Sequence, residues 1–219
     1  MNLPTLEAEE RFWVRGMQCI AGLDEAGRGA WAGPVVAAAV ILPRGDGVGA
    51  ALTGVRDSKK VSPTKREVLA VRIREVALAV GVGRGEQQEI DALGIVPATR
   101  LAMQRALAAL SVAPEALIVD ALPLPAVDLP QDVFPYADAR SLSVAAASII
   151  AKVSRDRWMV EVAEVDFPGY GFAQHKGYGT RQHREALDRL GVCSIHRLTF
   201  RPIALCLSAD ERKSPRLLD

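Results

Sequence analysis

Short apolar runs that stop at a carboxylate recur along this chain and limit its fold more than any other feature. Ala116-Leu117-Ile118-Val119-Asp120 is the clearest, a brief, wholly apolar stretch that reads as a buried strand ending in an acid. Cys19 to Asp24 reads as a second strand, running into Asp24 and Glu25, and Val133 to Ala137 as a third that leads to Asp138. A glycine-rich turn separates the first of these from Pro34 to Leu42, rich in Val, Ala and Ile, which reads as another buried strand. Val76 to Val82 reads as one more, ending at Gly81-Val82-Gly83.

Helical signals lie between and after these runs. Ser62-Pro63 opens a helix, with Ser as cap and Pro in the first turn, and Val68, Leu69, Ile73, Val76 and Ala77 follow at helical spacing. Val96 to Leu110, containing Leu101, Met103 and Leu107, forms an amphipathic helix. Ser141 to Val165 reads as a long helix and Thr180 to Leu190 as a shorter one closed by Gly191. The Pro-rich stretch Leu122 to Pro130 reads as a surface loop. The order implies an α/β fold with a mixed sheet, its opening strands antiparallel and its later ones parallel.

With 219 residues, a single domain is expected, long enough to need no disulfide or structural zinc. Lys plus Arg is 27 and Asp plus Glu 26, a net charge of +1, so a bulk polycation that coats nucleic acid is excluded. The charge is nonetheless uneven. Residues 1–139 hold 14 basic and 17 acidic side chains, while residues 140–201 hold 10 basic and 6 acidic ones and all three histidines. Cys19, Cys193 and Cys206 form no metal-like pair and read as reduced thiols of a cytoplasmic protein. The first ten residues lack a basic segment, so no signal peptide is expected. The longest uncharged run, Gly29 to Pro43, is 15 residues, too short to span a bilayer.

In an α/β sheet, chemistry gathers at the carboxyl ends of strands. Asp24, Glu25, Asp120 and Asp138 are therefore candidates for one site. Neighbouring strand residues point to opposite faces, so Asp24 and Glu25 are expected to meet only if the strand stops there. Clustered carboxylates repel unless cations join them, and oxygen-only ligands suit Mg²⁺ or Mn²⁺. Two such ions about 4 Å apart form a clamp for phosphodiester cleavage. Each acid alone is better read as solvated or as a helix cap; only the set points to metal. The turn Gly27-Arg28-Gly29-Ala30-Trp31-Ala32 fits a dinucleotide fingerprint, but a strand follows it where that motif needs a helix.

Gly22-Leu23-Asp24-Glu25-Ala26-Gly27-Arg28-Gly29 with Gly33-Pro34-Val35 resembles the opening signature of bacterial ribonuclease HII. The likeness continues through Asp57-Ser58-Lys59, Ile118-Val119-Asp120, Ala147 to Val153 with Arg155-Asp156-Arg157, His175 to Thr180, and His196-Arg197. It implies a ribonuclease H-like mixed sheet flanked by helices, with a C-terminal helical extension. The catalytic core would span about residues 18–165 and a substrate-contacting part about 166–219. It also implies hydrolysis of RNA in RNA–DNA hybrids, and cleavage 5′ of single ribonucleotides in duplex DNA, with two Mg²⁺ or Mn²⁺ ions held by Asp24, Glu25, Asp120 and Asp138. Gly27, Arg28 and Gly29 would sense the ribose 2′-hydroxyl and Tyr178 would pack on the neighbouring deoxyribose. Ala121 stands where the family usually has glycine, and Tyr136-Ala137-Asp138 replaces its usual lysine-glycine-aspartate. A monomer with no membrane association is expected.

Other residues read more plainly. His175, His183 and His196 are structural or phosphate-facing, and Lys59, Lys152 and Lys176 are solvated charges or phosphate contacts. Asp156 pairs with Arg155, Arg157 or another basic group, and Trp13, Trp31 and Trp158 are packing residues. Two rivals remain at this point: a related nuclease such as a junction resolvase, and a hybrid-binding module without turnover.

Overall fold

Every residue of Val35–Ile41 (β2) is buried, and its side chains are only valine, alanine and isoleucine. Such a strand needs cover on both faces, which places it inside a sheet. β2 lies between Ile20–Ala26 (β1) and Ala79–Gly85 (β3), antiparallel to both. Ala116–Asp120 (β4) joins β1 in parallel and Gln131–Phe134 (β5) joins β4 in parallel, giving the order β3-β2-β1-β4-β5. Antiparallel opening strands and parallel later ones match the sequence expectation. The protein is described by a computed structural model over residues 3–213.

Helices in chain order are Glu7–Trp13 (α1), Gly47–Ala51 (α2), Pro63–Val76 (α3), Gln87–Leu93 (α4), Ile95–Ala108 (α5) and Leu142–Trp158 (α6). Glu164–Asp166 (α7), Phe172–His175 (α8), Arg181–Leu190 (α9) and Arg201–Lys213 (α10) complete them. Alternation along β2 divides its side chains between two layers. Ala38 and Val40 pack with Leu69 and Ile73 of α3 and with Ala146, Ile149 and Ile150 of α6. Ala37, Ala39 and Ile41 pack with Ala98, Ala102, Met103 and Ala106 of α5. Small residues let the helices lie close. A Cβ at Gly83 would run into the Ala102 and Ala106 backbone of α5, and one at Gly22 into Ser143 and Val144 of α6.

The helix expected over residues 141–165 is one continuous rod whose Met159–Ala163 turn is widened to π-type. Met159 and Ala163 pack with Tyr170, Phe172, Leu187, Ile195 and Ile203, a separate small core that ties the C-terminal helices to this rod.

Several boundaries depart from the sequence reading. β3 starts at Ala79 because α3 continues through Val76, and it runs on to Gly85. Ser62 precedes α3 as expected, but its side chain makes no capping hydrogen bond. β5 ends at Phe134, since Tyr136 takes a left-handed conformation at φ 59° that breaks the strand. The Leu122 to Pro130 segment is a loop but not merely a surface one. Leu122 and Leu124 are buried, and the Gln131 amide closes the loop by accepting from Leu124 N at 3.0 Å and donating to Leu124 O at 2.8 Å.

The α5 contact gives a direct test. Gly83→Ala places a methyl group against helix backbone that cannot rotate away, so a loss of about 1–3 kcal/mol is expected in denaturant unfolding. Parental stability would mean that α5 does not lie against β3.

Candidate active site

Parallel pairing of β1 and β4 ends at Leu23 with Val119, and the next residue on each strand is an aspartate. β4 stops at Asp120, whereas β1 continues alone beside β2 through Ala26. The expectation that β1 stops at Asp24 and Glu25 is therefore corrected. It is β4 that stops, and the open edge of β1 beside Asp120 lets both acids feel that carboxylate. Asp24 is buried on the α6 side, where Ser148 favours its charged form and Glu25 N donates to its Oδ1 at 2.7 Å. Ser148 also lies 2.9 Å from the Ser58 hydroxyl, linking α6 to the Asp57–Lys60 turn.

Asp138 is not at a strand end either. It sits on the 3₁₀ turn Ala137–Ala139 that leads into α6, within electrostatic reach of Asp57. The turn carrying Asp138 still reaches the end of β4, because Ala137 N donates to Asp120 Oδ1 at 2.9 Å. Asp120 is thus the centre to which Asp24, Glu25 and Asp138 all respond.

The electrostatics are adverse. Burial, then Glu25 and Asp120, push Asp24 well above the usual aspartate range. Burial raises Glu25 also, opposed by Arg28, whose guanidinium lies 3.1 Å from Glu25 Oε1. Asp138 is pushed to about 6 by burial, with Asp57 and Asp120 adding to it. Glu25 Oε2 is buried and has no hydrogen-bond partner. Among the described residues no three His, Cys, Asp or Glu side chains are drawn closely enough together to hold a metal ion as they stand. Hard oxygen ligands with a buried, unsatisfied oxygen fit a divalent cation better than any other partner the chain supplies.

Beside the acids lies a cleft of about 590 Å³ lined by Glu25, Gly27, Arg28, Gly29, Ser58, Lys59, Lys152 and Tyr178. The structure thus brings together the expected glycine-arginine-glycine turn and Tyr178, which the sequence separates widely. Gly27 has an internal reason to be glycine: its φ is 93°, and a Cβ would strike Arg155. Gly29 has none, because a Cβ there would meet nothing within 4 Å. The turn is held from beneath by two buried arginines. Arg155 donates to Pro34 O, Ala32 O and Lys176 O at 2.9–3.0 Å, and Arg197 to Gly33 O and Arg28 O at 3.0 and 2.9 Å. Tyr178 is half-buried under Lys152 and Arg155, each about 5.3–5.4 Å from its ring centre.

The three histidines are buried, not phosphate-facing. His183 and His196 face each other at 3.0 Å, His175 stacks on His183, and burial lowers His183 and His196 to about 4. Asp156 pairs with Lys152 at 2.8 Å and Arg66 at 3.9 Å, while Arg157 pairs with Glu67. Sequence reasoning missed Asp57, Ser58 and Ser148 as parts of the site. Only their presence in the family-like motifs could have pointed to them.

The ribonuclease HII family profile matches residues 21–203. The chain belongs to this family. It is 54% identical over 196 residues to ribonuclease HII of Thermus thermophilus, covering 90% of this chain and 92% of that one. It is 53% identical over 211 residues to ribonuclease HII of Chloroflexus aurantiacus, covering 96% and 99%. The fold is similar to that of ribonuclease H2 from Pyrococcus horikoshii, with a TM-score of 0.71, 26% identity and coverage of 90% and 100%. Among the described residues of this family member, no helix is long and apolar enough to cross a membrane.

The raised Asp138 carboxyl predicts a pH signature. Its stabilising contribution is full below the unfolded value near 3.8 and is lost as pH rises through about 6. Asp138→Asn, which stays neutral, should therefore exceed the parent by about 1–3 kcal/mol at pH 7.5 in chelator. The gap should close as pH falls from 6 toward 4, read by denaturant unfolding. A pH-independent gap, or a less stable variant, would contradict the adverse cluster.

Proposed function

We propose that Asp24, Glu25, Asp120 and Asp138 hold two Mg²⁺ or Mn²⁺ ions, and that the adjoining cleft presents a ribonucleotide to them. The chain is a metal-dependent endoribonuclease of the ribonuclease HII family, which cleaves RNA in RNA–DNA hybrids and at ribonucleotides embedded in DNA. The convergence of these buried, mutually repelling carboxylates on Asp120 carries the proposal. Asp24, Glu25, Asp120 and Asp138 would hold the cations, whose chemistry would be activation of water for in-line attack and stabilisation of the leaving 3′ oxygen.

The rest follows from the chain's own groups. Arg28 holds one Glu25 oxygen, and the other is buried without a partner. The Glu25 amide holds Asp24 and the Ala137 amide holds Asp120, while Ser148 favours the charged form of Asp24. Lys59 is exposed at the cleft, within electrostatic reach of Glu25 and Asp138, where a scissile phosphate would neutralise it. Gly29 lacks a side chain although nothing in the protein would obstruct one, which suits close approach of a ribose 2′-hydroxyl. Tyr178 offers a ring edge to the neighbouring deoxyribose, braced by the cations above it. No base edge needs to be read, so selectivity comes from backbone shape and the 2′-hydroxyl. Cleavage on the 5′ side of the ribonucleotide, leaving 3′-hydroxyl and 5′-phosphate ends, is the proposed outcome. We read the chain as a cytoplasmic monomer, one domain with its core over about 18–165 and a substrate-contacting part over about 166–219.

The assay is cleavage of a duplex carrying one ribonucleotide, beside a continuous hybrid and an all-DNA duplex, with Mg²⁺, Mn²⁺ or chelator. The expected result is metal-dependent cutting of the first two only; all-DNA cutting would favour a resolvase, and binding without turnover a silent module. Asp24→Asn should abolish cutting while folding normally. Gly29→Ala should keep the parental Tm yet lower kcat/KM about tenfold or more on the single-ribonucleotide duplex. Tyr178→Ala should lose about 1–3 kcal/mol of transition-state stabilisation there and less on continuous hybrid. Equal losses on both substrates would remove Tyr178 from junction sensing.

A further inference from the structure

Glu9 is a charged residue on a short N-terminal helix, far in sequence from every acid of the site, and it is only 1% exposed. Its Oε1 accepts from Ser141 Oγ at 2.7 Å and from Ser143 N at 2.9 Å, and the Ser143 hydroxyl also donates to it. Its Oε2 is buried without a partner. Removing a carboxylate from water to this extent is costly, and three donors to one oxygen offset that cost only if their geometry is kept.

The donors belong to the start of α6. Ser141 is its N-cap, with Oγ accepting from Val144 N at 3.2 Å, and Ser143 N is one of the first-turn amides that no helical carbonyl satisfies. Glu9 therefore completes the cap of α6 from another helix, with negative charge at the positive end of the helix dipole. The chain around it is clamped as well. Thr5 N donates to Arg140 O at 3.1 Å and Leu142 N to Thr5 O at 2.8 Å.

From Ser141 a short relay reaches the site. Ser141 N donates to Ala137 O at 2.8 Å, and Ala137 N donates to Asp120 Oδ1 at 2.9 Å. The same turn carries Asp138, and α6 carries Ser148 beneath Asp24. We infer that Glu9 is a positioning residue for the metal-holding carboxylates. By fixing the Ala137–Ser141 turn and the start of α6, it sets the orientation of Asp120 and Asp138 and the seat of Ser148. The N-terminal helix is then part of the catalytic assembly and not merely cover for the sheet.

This inference rests on the metal-holding reading of those acids, and one experiment separates the two. Calorimetric titration of Mn²⁺ into the purified full chain is compared for wild type, Glu9→Ala, Glu9→Gln and Met103→Val, with circular dichroism confirming the fold. Met103 is buried on α5, in a cluster that holds none of the relay residues, so Met103→Val serves as a control for destabilisation alone. Glu9→Ala should weaken Mn²⁺ binding about tenfold or more, the range for loss of a partner that orients a ligand. Its kcat on the single-ribonucleotide duplex should fall in step, with KM within about twofold. Glu9→Gln keeps an acceptor oxygen and should recover most of the loss, and Met103→Val should bind Mn²⁺ as wild type does. If Glu9→Ala does not fold, Ser141→Ala replaces it, removing one donor at nearly constant volume, with the same expected weakening. Wild-type Mn²⁺ affinity in the folded Glu9 or Ser141 variant would overturn this inference alone. Equal weakening in Met103→Val would do the same. Failure of wild type to bind Mn²⁺ would overturn the metal-holding reading itself.

Discussion

Burial and mutual repulsion raise the proton affinity of Asp24, Glu25 and Asp138, so these side chains are held together against their own electrostatics. Few arrangements can do this. A sheet edge can, because two parallel strands deliver Asp24 and Asp120 side by side at the point where one strand ends. A long buried helix laid across the sheet can then supply Ser148 from one side and the Asp138 turn from its N-terminus. The dense, alanine-rich packing of β2 against α5 and α6 gives the rigidity this requires, since strain at the acids can be resisted only by a core that does not yield. On the proposed metal-holding reading, a cation would convert that repulsion into attraction, and the energy stored in the fold would become affinity for metal.

The substrate side is built on the opposite charge. Arg155 and Arg197 are fully buried and bind backbone carbonyls of the 28–34 loop and of Lys176 instead of carboxylates. Burial lowers Arg197 to about 9, a measure of how poorly this cation is solvated. The two guanidinium groups lock the glycine-rich turn to the segment bearing Tyr178, so the parts that would judge the sugar move as one piece. One Arg197 nitrogen remains without a partner.

Much of this was legible in the chain. Asp120 and its strand were read correctly because a short apolar run ending in an acid has few other meanings, and the parallel and antiparallel halves of the sheet followed from element order. Asp138 was singled out as the acid at the end of an apolar run but assigned to a strand end instead of the 3₁₀ turn it occupies, since the left-handed Tyr136 that breaks β5 leaves no mark in hydrophobic periodicity. Ala121, at φ 55°, occupies a left-handed position that suits the family's usual glycine, so its strain could be suspected from sequence but not located. Glu9, Ser148 and the buried arginines were illegible for a common reason. Charged and hydroxyl residues are normally exposed, and only tertiary contacts reveal which of them are buried and bonded.

On the metal-holding reading, a bound cation displaces the proton that burial and neighbouring carboxylates help Asp138 retain. Proton release on Mn²⁺ binding tests it most directly, by calorimetric titration in buffers of different ionisation enthalpy. Release should be at least about half a proton per chain near pH 6, where the Asp138 carboxyl is half protonated, and that contribution should fade as pH rises above 6. Binding at pH 6 without proton release would show that the acids are already ionised, and would contradict the claim.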